Sequence, residues 1–272
     1  MRSALAAAAA VVMLAGAAEA RTWRVDPGPN AQTELQTALI EAQPGDTVQL
    51  ARGRYELTQG LSLAVNNVTI RGQGEARSIL SFAGQQRGAE GLLVTANGVV
   101  LRDFAVEDTR GDAIKVRDCQ GITFRGVRAE WTRGPNPENG AYGLYPVNCS
   151  NVLIERSIAR GASDAGIYVG QSRNIIVRQN IAEYNVAGIE IENSYNADVF
   201  ENRAEHNTGG ILVFNMPNLK VPGFGTRIFR NRSVDNNTAN FGRKGTAVAS
   251  VPAGTGIIIN SNDKVEIFEW ED

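Results

Sequence analysis

Residues 166–187 read GIYVGQSRNIIVRQNIAEYNVA, and residues 188–209 read GIEIENSYNADVFENRAEHNTG. The two stretches align without a gap, and each opens on a Gly-Ile pair that recurs along the chain as Gly-Leu or Gly-Ile. The apolar members of this first series are Leu144, Ile167, Ile189, Ile211 and Ile257, at steps of 23, 22, 22 and 46 residues. A period of about 22 residues is typical of a solenoid, in which each repeat forms one coil.

A second series of short strands repeats in step with the first. It consists of Ile122-Thr123-Phe124, Val152-Leu153-Ile154, Ile175-Ile176-Val177, Asp198-Val199-Phe200 and Arg227-Ile228-Phe229. Amide side chains follow both series, and stacked amides can hydrogen-bond from one coil to the next. They are Asn180, Asn202 and Asn231 after the second series, and Asn148, Gln171, Asn193 and Asn215 after the first. Two series in the same step predict an all-β solenoid of parallel strands.

Longer steps mark insertions in the repeat. Ile114 precedes Leu144 by 30 residues, and the gap of 46 residues follows Ile211. The extra residues fall at about 133–139, 216–225 and 238–254. In solenoids such insertions commonly gather on the binding face.

The two ends of the repeat differ. Leu35 and Leu39 share one apolar helical face with two alanines, so we predict a capping helix within residues 31–45 that covers the first coil and blocks edge pairing. At the other end, residues 264–268 restart the second series, and no capping segment follows before Asp272. That end is expected to be uncapped: either a protein partner covers this edge, or the chain is a shortened form of a longer protein.

The amino-terminal residues predict export. Arg2 precedes an apolar run over residues 4–18, and an Ala-Glu-Ala triplet ends at Ala20, the pattern that signal peptidase accepts. We predict a signal peptide at residues 1–20, a β-helix domain at residues 21–272 and a periplasmic or secreted protein. The apolar run is short for a bilayer span, so no membrane anchor is expected. A formal net charge of −2 provides no electrostatic attraction to nucleic acid.

Two cysteines are present in the chain. Cys119 and Cys149 each precede a strand of the second series by three residues, so they are expected on consecutive coils with α-carbons about 4.8 Å apart. Parallel side chains keep the β-carbons farther apart than the roughly 3.8 Å of a relaxed disulfide. We therefore expect two stacked thiols rather than a disulfide.

Specific markers of a known fold family lie near the start of the chain. They are Leu35-Gln36-Thr37-Ala38-Leu39, Pro44-Gly45-Asp46-Thr47-Val48 and Gly53-Arg54-Tyr55, followed by the asparagine-rich coils. With these markers the sequence resembles the parallel β-helix repeat proteins of the pectin-lyase-like superfamily, including the carbohydrate-binding and sugar-hydrolase type of repeat. The resemblance covers roughly residues 23–272. It implies a single-stranded right-handed parallel β-helix and an extracytoplasmic protein that acts on or binds polysaccharide.

The resemblance does not select a reaction, because lyases, hydrolases, esterases and uronate C5-epimerases share this scaffold. The Asp-Pro-His triplet of the mannuronan epimerases is absent, and so are the Asn-Thr-Asp, Gly-His-Gly and Arg-Ile-Lys segments of the polygalacturonases. His206 is the only histidine, and its place in a turn favours a surface role. The chain thus resembles an uncharacterised branch. No cofactor is predicted and no metal ligand is assigned, although calcium remains open because lyases of this superfamily often use it.

Alternation along the first series defines two outward columns, because side chains of a strand point to opposite faces in turn. One column is Lys115, Tyr145, Tyr168, Glu190, Leu212 and Ile258, and the other is Arg117, Val147, Gly170, Glu192, Phe214 and Asn260. Together they form the outward strip, which is expected to face solvent. A solvated face with stacked charges is the alternative to a binding site here.

The strip supplies the candidate catalytic residues. Glu190 and Glu192 lie on one side of a strand, with α-carbons about 6.6 Å apart, which suits acid and base roles across a glycosidic bond. Lys115 is the third candidate, because an ammonium could neutralise a uronate carboxylate. The candidate substrate-binding residues are Arg117, Tyr145, Tyr168, Phe214, Asp164 and Trp131. Asp112 and Asp164 precede their strands, where Asp is also an ordinary turn residue.

Two functions follow from these observations. The first is an exported enzyme, a lyase, epimerase or hydrolase, that acts on an acidic glycan along the outward strip. The second is a non-catalytic protein that binds envelope glycan or a protein partner through the same strip or through the carboxy-terminal edge.

Overall fold

The computed structural model describes residues 19–261 and 265–268. In this part the chain winds into a right-handed parallel β-helix whose three sheets are all parallel, so the predicted fold class is confirmed. Helix α1 (Ala31–Glu41) precedes the coils, and a short 3-10 helix (Ala247–Ser250) lies in the third insertion.

Sheet A contains β1 (Thr22–Val25), β2 (Thr47–Leu50), β5 (Thr69–Arg71), β8 (Val99–Arg102), β11 (Gln120–Arg125), β14 (Ser150–Glu155), β17 (Arg173–Arg178), β20 (Tyr195–Phe200), β23 (Phe224–Phe229) and β26 (Val265–Phe268). Sheet B contains β3 (Gly53–Glu56), β6 (Ser78–Ser81), β9 (Ala105–Glu107), β12 (Arg128–Glu130), β15 (Ile158–Arg160), β18 (Ile181–Glu183), β21 (Arg203–Glu205) and β24 (Arg232–Val234). Sheet C contains β4 (Gln59–Leu63), β7 (Arg87–Val94), β10 (Ile114–Arg117), β13 (Leu144–Val147), β16 (Ala165–Gly170), β19 (Ala187–Glu192), β22 (Gly209–Phe214) and β25 (Thr255–Asn260).

The first series forms sheet C in the predicted register. Leu144 pairs with Ile167, and Ile189 pairs with Ile211, which in turn pairs with Ile257. Leu144, Ile167, Ile189 and Ile211 are buried inside the coil, and Ile257 is partly buried against the same core, because an inward aliphatic column removes apolar surface from water on successive rungs. The period read from the sequence therefore fixes the register of this sheet.

The second series forms sheet A, with one correction. Ile175 pairs with Ala197 and not with Asp198, and Ala197 pairs with Thr226, so the last two strands align one residue earlier than their quoted triplets. The first inward positions of these two strands carry the smaller residues Ala197 and Thr226, which conceal the alternation of apolar and polar residues. β26 continues sheet A as the restart of the series predicts.

Sheet B has no counterpart in the sequence expectations. Most of its strands have three residues, which is too short for a period of two to be recognised. Its inward column is small and buried, with Ala129, Ala159, Ala182 and Ala204 on successive rungs. Small side chains suit this column because three sheets must converge on one narrow core.

The predicted asparagine column between sheets A and B is confirmed. Asn180 Nδ2 donates to Asn202 Oδ1 at 2.9 Å, and Asn202 Nδ2 donates to Asn231 Oδ1 at 2.9 Å. Each amide also donates to a backbone carbonyl, as Asn202 does to Val177 at 2.8 Å. The ladder satisfies buried polar groups at the corner of three successive coils.

The other predicted amide column is formed in position only. Asn148, Gln171, Asn193 and Asn215 directly follow paired strand residues on successive rungs. Asn148 Nδ2, however, donates to Asp118 Oδ1 at 2.6 Å, and Asn193 Nδ2 donates to the carbonyl oxygen of Val221 at 2.9 Å, rather than to the next amide. A second buried ladder instead runs through Asn185, Asn207 and Asn236, with amide contacts of 3.0 Å, after the strands of sheet B. It was missed because sheet B was missed.

The amino-terminal cap is confirmed. Helix α1 buries Leu35, Ala38 and Leu39 against the first coil, where it contacts β1, β3 and β4. The predicted signal peptide lies almost wholly outside the described residues, and so do the final residues of the predicted uncapped end. In the described part of the chain, no helix has the length and apolar character needed to cross a membrane.

Cys119 and Cys149 stack on consecutive rungs as predicted, because the neighbouring residues Gln120 and Ser150 are paired. Both are buried free thiols. Cys149 Sγ lies 3.4 Å from the carbonyl oxygen of Val147. A hydrogen bond between the two thiols, together with burial, raises the pKa of Cys119.

Candidate functional site

The outward strip has the predicted order but not the predicted exposure. Lys115 pairs with Tyr145, and Tyr168 pairs with Glu190, so the column is formed. The exposed fractions of Tyr168, Glu190, Leu212 and Phe214 are nevertheless 4%, 2%, 0% and 6%. The expectation that these four side chains face solvent is therefore wrong.

The third insertion covers this part of the strip. Its residues Val248 and Val251 are buried, and they form a second apolar cluster with Tyr168, Leu212 and Phe214 on the outside of the coil. The cluster exists because burying both apolar surfaces together removes them from water. Polar contacts also connect the insertions to each other: Arg243 Nη2 donates to the carbonyl oxygen of Asn139, in the first insertion, at 3.2 Å.

The strip stays accessible around Lys115. The ammonium of Lys115 is about 25% exposed as a side chain and lies 3.8 Å from Glu90 Oε1 and 3.7 Å from Asp112 Oδ2. It also lies 4.8 Å from the ring centre of Tyr145, which is a cation–π contact. One cation thus faces two carboxyl groups and an aromatic ring.

Three tyrosines pack together beside this cation. The ring centre of Tyr142 lies 4.5 Å from the ring centre of Tyr145 and 4.5 Å from that of Tyr168. The ring centres of Tyr145 and Tyr168 are 4.9 Å apart. The Tyr168 hydroxyl donates to Glu192 Oε1 at 2.9 Å. Burial raises the pKa of Tyr145 to about 12, so its phenol stays protonated at neutral pH.

Four carboxyl groups surround the tyrosines. Burial raises the pKa of Asp112 to about 6 against the opposing effects of Lys115 and of the backbone N–H of Tyr142. Burial also raises the pKa of Asp164 to about 7, where the neighbouring charge of Glu192 adds to the effect and a hydrogen bond with Tyr142 opposes it. These two groups titrate close to neutral pH.

Glu190 and Glu192 differ from this pair. Glu190 is fully buried, and burial together with the charges of Asp164 and Glu192 raises its pKa well above the usual range. Its Oε2 atom has no hydrogen-bond partner among the described residues. Burial raises the pKa of Glu192, and the hydrogen bond from Tyr168 lowers it. Glu190 therefore lies under the third insertion, where burial disfavours its ionised form, and it is away from any substrate in this conformation. We call Lys115, Tyr142, Tyr145, Tyr168, Asp112, Asp164, Glu190 and Glu192 the tyrosine–carboxyl cluster.

The remaining candidates lie apart from this cluster. Trp131 is 2% exposed, and its indole Nε1 donates to the carbonyl oxygen of Thr109 at 2.8 Å, so it anchors the first insertion and presents no face to a sugar. Arg117 is exposed near Asp118 and borders a cavity of about 570 Å³ together with Lys220. Phe214 belongs to the covered cluster.

Sequence reasoning gave no site role to Glu90 or Tyr142, and it left Asp112 as a weaker candidate whose position also suits an ordinary turn residue. Ile114 pairs with both Leu92 and Leu144, so all three residues stand two positions before members of one column. The signal was present in the sequence as that fixed offset. It went unused because Leu92 was not recognised as a member of the first series and because Asp112 was taken for a turn residue.

A larger groove lies on another face. It has a volume of about 730 Å³ on the outside of sheet A, with Asn151, Asn174 and Asn196 along one side. Its floor includes the aliphatic side chain of Ile176 and the bidentate pair of Asp198 and Arg227, at 2.7 and 2.6 Å. Over the described chain, no group of three histidine, cysteine or acidic side chains is arranged to hold a metal ion.

Comparisons with known proteins agree with the fold. A family model described as a right-handed beta helix region matches residues 90–267. The structure is similar to the A-module of mannuronan C-5 epimerase AlgE6 from Azotobacter vinelandii, with a TM-score of 0.64 and 18% identity over 76% of this chain and 62% of that one. It is also similar to the polygalacturonase from Erwinia carotovora, with a TM-score of 0.60 and 15% identity over 92% of this chain and 81% of that one.

A third similar structure is the DFA-IIIase from Arthrobacter chlorophenolicus, with a TM-score of 0.55 and 11% identity over 90% of this chain and 78% of that one. No curated protein sequence matches the chain significantly. At these identities the structural similarities show the fold.

Proposed function

Because this chain belongs to the family of proteins with a right-handed beta helix region, we propose that it is an exported enzyme that hydrolyses a polysaccharide at the tyrosine–carboxyl cluster. The observation that carries the proposal is the pair Asp112 and Asp164. Both carboxyl groups are largely buried on the outside of sheet C, and their pKa values are raised to about 6 and about 7. Such groups can donate and accept protons near neutral pH.

The environments of the two carboxyl groups divide the roles. Asp112 lies 3.7 Å from the ammonium of Lys115, which favours its ionised form, so we assign it as the general base. Asp164 lies near the charge of Glu192, which favours its protonated form, so we assign it as the general acid. The two residues stand two rungs apart, with about 10 Å between their α-carbons at standard strand spacing.

The tyrosines supply the sugar-binding surface of the proposed site. Tyr142 and Tyr145 are partly exposed and lie on the rung between the two carboxyl groups. Their rings offer apolar faces for the C–H side of a sugar, and their protonated hydroxyls can hydrogen-bond its oxygens. The similar structures of a mannuronan epimerase and a polygalacturonase are those of enzymes that act on glycans, which supports a glycan as the ligand.

A non-catalytic glycan-binding protein is the second candidate. The observation that favours it is the burial of Glu190, Tyr168 and Phe214, which leaves less of the strip accessible than a long cleft would need. Elimination or epimerisation at a uronate is a third outcome, in which Lys115 would neutralise the carboxylate beside the reacting carbon.

A glycan panel tests the proposal. Purified protein is incubated with neutral and acidic polysaccharides, and new reducing ends, unsaturated ends and inverted C5 centres are measured together with retention on each glycan. We expect new reducing ends, and we expect Asp112→Asn and Asp164→Asn each to lower turnover by a factor of about 100 or more while the fold is kept. Asp26→Asn is the matched control, because Asp26 is exposed and outside the cluster. Retention without any product would leave the binding protein as the function.

A further inference from the structure

A separate cavity lies beside the first insertion. It has a volume of about 630 Å³ and is bordered by Arg110, Arg133 and Arg243, by Asp108 and Glu138, and by the apolar edge of Phe82. The arginines come from three different segments: the turn before β10, the first insertion and the third insertion. The fold therefore brings three guanidinium groups to one place that the sequence keeps far apart.

Neutral acceptors hold these arginines. Arg110 Nη1 donates to the carbonyl oxygen of Gln86 at 3.1 Å, and Arg133 Nε donates to Asn139 Oδ1 at 2.5 Å. Arg243 donates to the carbonyl oxygens of Pro137 and Asn139, at 3.3 and 3.2 Å. These bonds orient the side chains without neutralising their charge. Each guanidinium keeps further N–H donors, since it has five.

The charge of the cavity is not balanced by contact. Within the described residues none of the three arginines forms an ion pair, whereas Arg128 and Arg160 on sheet B are bonded to glutamates. Asp108 directs its carboxylate to the backbone N–H and hydroxyl of Thr132, at 2.8 Å. Three cations and two carboxylates leave the lining with a net positive charge, on a chain whose formal net charge is −2.

We propose that this cavity binds the anionic group of an extended glycan, a carboxylate or a sulfate ester, at a place separate from the bond that is cleaved. Planar guanidinium groups bind both kinds of oxyanion through paired N–H donors. The identification of the ligand as a glycan rests on the proposed function. The site explains how an acidic chain could bind although the tyrosine–carboxyl cluster itself has one ammonium among several carboxyl groups.

The cavity adjoins the cluster through the backbone. Arg110 precedes Asp112 by two residues. On the other flank, the hydroxyl of Ser163, next to Asp164, donates to the carbonyl oxygen of Asn139 at 2.9 Å, the same carbonyl that accepts from Arg243. A sugar held at the arginines would therefore continue toward the proposed acid and base.

Retention of matched polymers tests the proposal. Four affinity gels form two matched pairs. The first pair contains polygalacturonate and the same polymer with its carboxyl groups reduced to alcohols, and the second pair contains dextran sulfate and dextran. All proteins carry Asp164→Asn so that no chain is cut during the measurement. We expect stronger retention by the anionic member of a pair, and the pair with the larger difference identifies carboxylate or sulfate as the ligand. Arg110→Gln and Arg133→Gln should each weaken that retention about tenfold, and high salt should weaken it further.

Two further variants complete the test. Arg243→Lys keeps the charge but not the paired donors, so its retention should fall between those of the parent and of Arg133→Gln. Arg52→Gln removes an exposed arginine elsewhere on the chain and should change nothing. Equal retention of charged and neutral polymers, retention of neither, or parent-like retention by all the arginine variants would overturn the proposal. If the parent binds anionic polymer through these arginines but the active chain yields no product from any glycan, only the hydrolytic function fails.

Discussion

At the scale of single residues, the site differs from an ordinary charged surface because several of its carboxyl groups are buried close to other carboxyl groups. Asp164 is 7% exposed and Glu190 is 2% exposed, and their neighbours include further carboxyl groups. Removing carboxyl groups from water disfavours their ionised forms. Such an arrangement opposes folding at high pH, so it has a measurable signature in stability.

The pKa of Asp164 predicts the sign of that signature. Its folded pKa of about 7 lies above the ordinary value of 3.8, so the folded state binds more protons than the unfolded state between those values. The free energy of unfolding should therefore fall as the pH rises from 4 to 7 and level off above 7. Asp164→Asn should remove this contribution, so its stability relative to wild type should rise by on the order of a few kcal/mol across that window. Urea denaturation at a series of pH values measures it, and Asp26→Asn should follow wild type throughout. If the difference in free energy of unfolding between Asp164→Asn and wild type stayed constant over the pH series, the raised pKa of Asp164 would be contradicted.

The central member of the asparagine ladder predicts a large loss of stability. Asn202 is 2% exposed and bonds to Asn180, Asn231 and the carbonyl oxygen of Val177. Asn202→Leu should leave several buried partners unsatisfied and lower the free energy of unfolding by about 1–3 kcal/mol or more. Asn237→Leu is the control, because Asn237 is exposed, and it should stay within about 0.5 kcal/mol of wild type. An unchanged denaturation midpoint for Asn202→Leu would show that the ladder does not contribute.

At the scale of elements, the repeating coils could be predicted from the sequence, but the packing of the third insertion over the outward strip could not. The step from Ile167 to Ile189 fixes a register because an error of one residue would turn every side chain of a strand over. The third insertion has no period, so nothing in its sequence shows that Val248 and Val251 pack onto the strip. The register of the column that carries the candidate residues was therefore predicted, while the burial of Glu190 and Tyr168 was not.

Because the third insertion buries Tyr168 but leaves Tyr145 partly exposed, replacing each tyrosine with alanine should have different effects. Tyr168 is buried under the third insertion, so Tyr168→Ala should lower the free energy of unfolding by about 3–5 kcal/mol, as for other large buried aromatic residues. Tyr145 is only partly buried, so Tyr145→Ala should lower stability less and should mainly weaken glycan binding. Thermal denaturation and retention on glycan gels separate the two effects. The burial of Tyr168 would be contradicted if its variant were as stable as wild type and lost only glycan binding.

At the scale of the whole molecule, the start of sheet A connects the β-helix to the predicted processing of the chain. The backbone nitrogen of Arg21 donates to Asp46 Oδ1 at 2.7 Å, and the indole of Trp23 donates to Asp46 Oδ2 at 2.9 Å. A hydrogen bond from the backbone N–H of Gln43, followed by these two bonds, lowers the pKa of Asp46. The carboxylate of Asp46 is thus held beside Arg21, which would become the first residue after cleavage at Ala20.

Cleavage after Ala20 would turn the Arg21 amide nitrogen into an α-ammonium group beside that carboxylate. An opposite charge raises the pKa of an amine above its usual value of about 8, so the added stability should be fully present below pH 8 and should be lost as the pH rises through the raised value. A chain that begins at Arg21 should therefore be more stable at neutral pH than one that retains Ala20, and Asp46→Asn should abolish the difference. Denaturation of the four proteins at pH 7 and pH 10 measures this, and mass spectrometry of the exported fraction should give Arg21 as the first residue. An exported protein that retains Met1, or equal stability of the two forms at pH 7, would show that the carboxylate of Asp46 serves only the intact backbone.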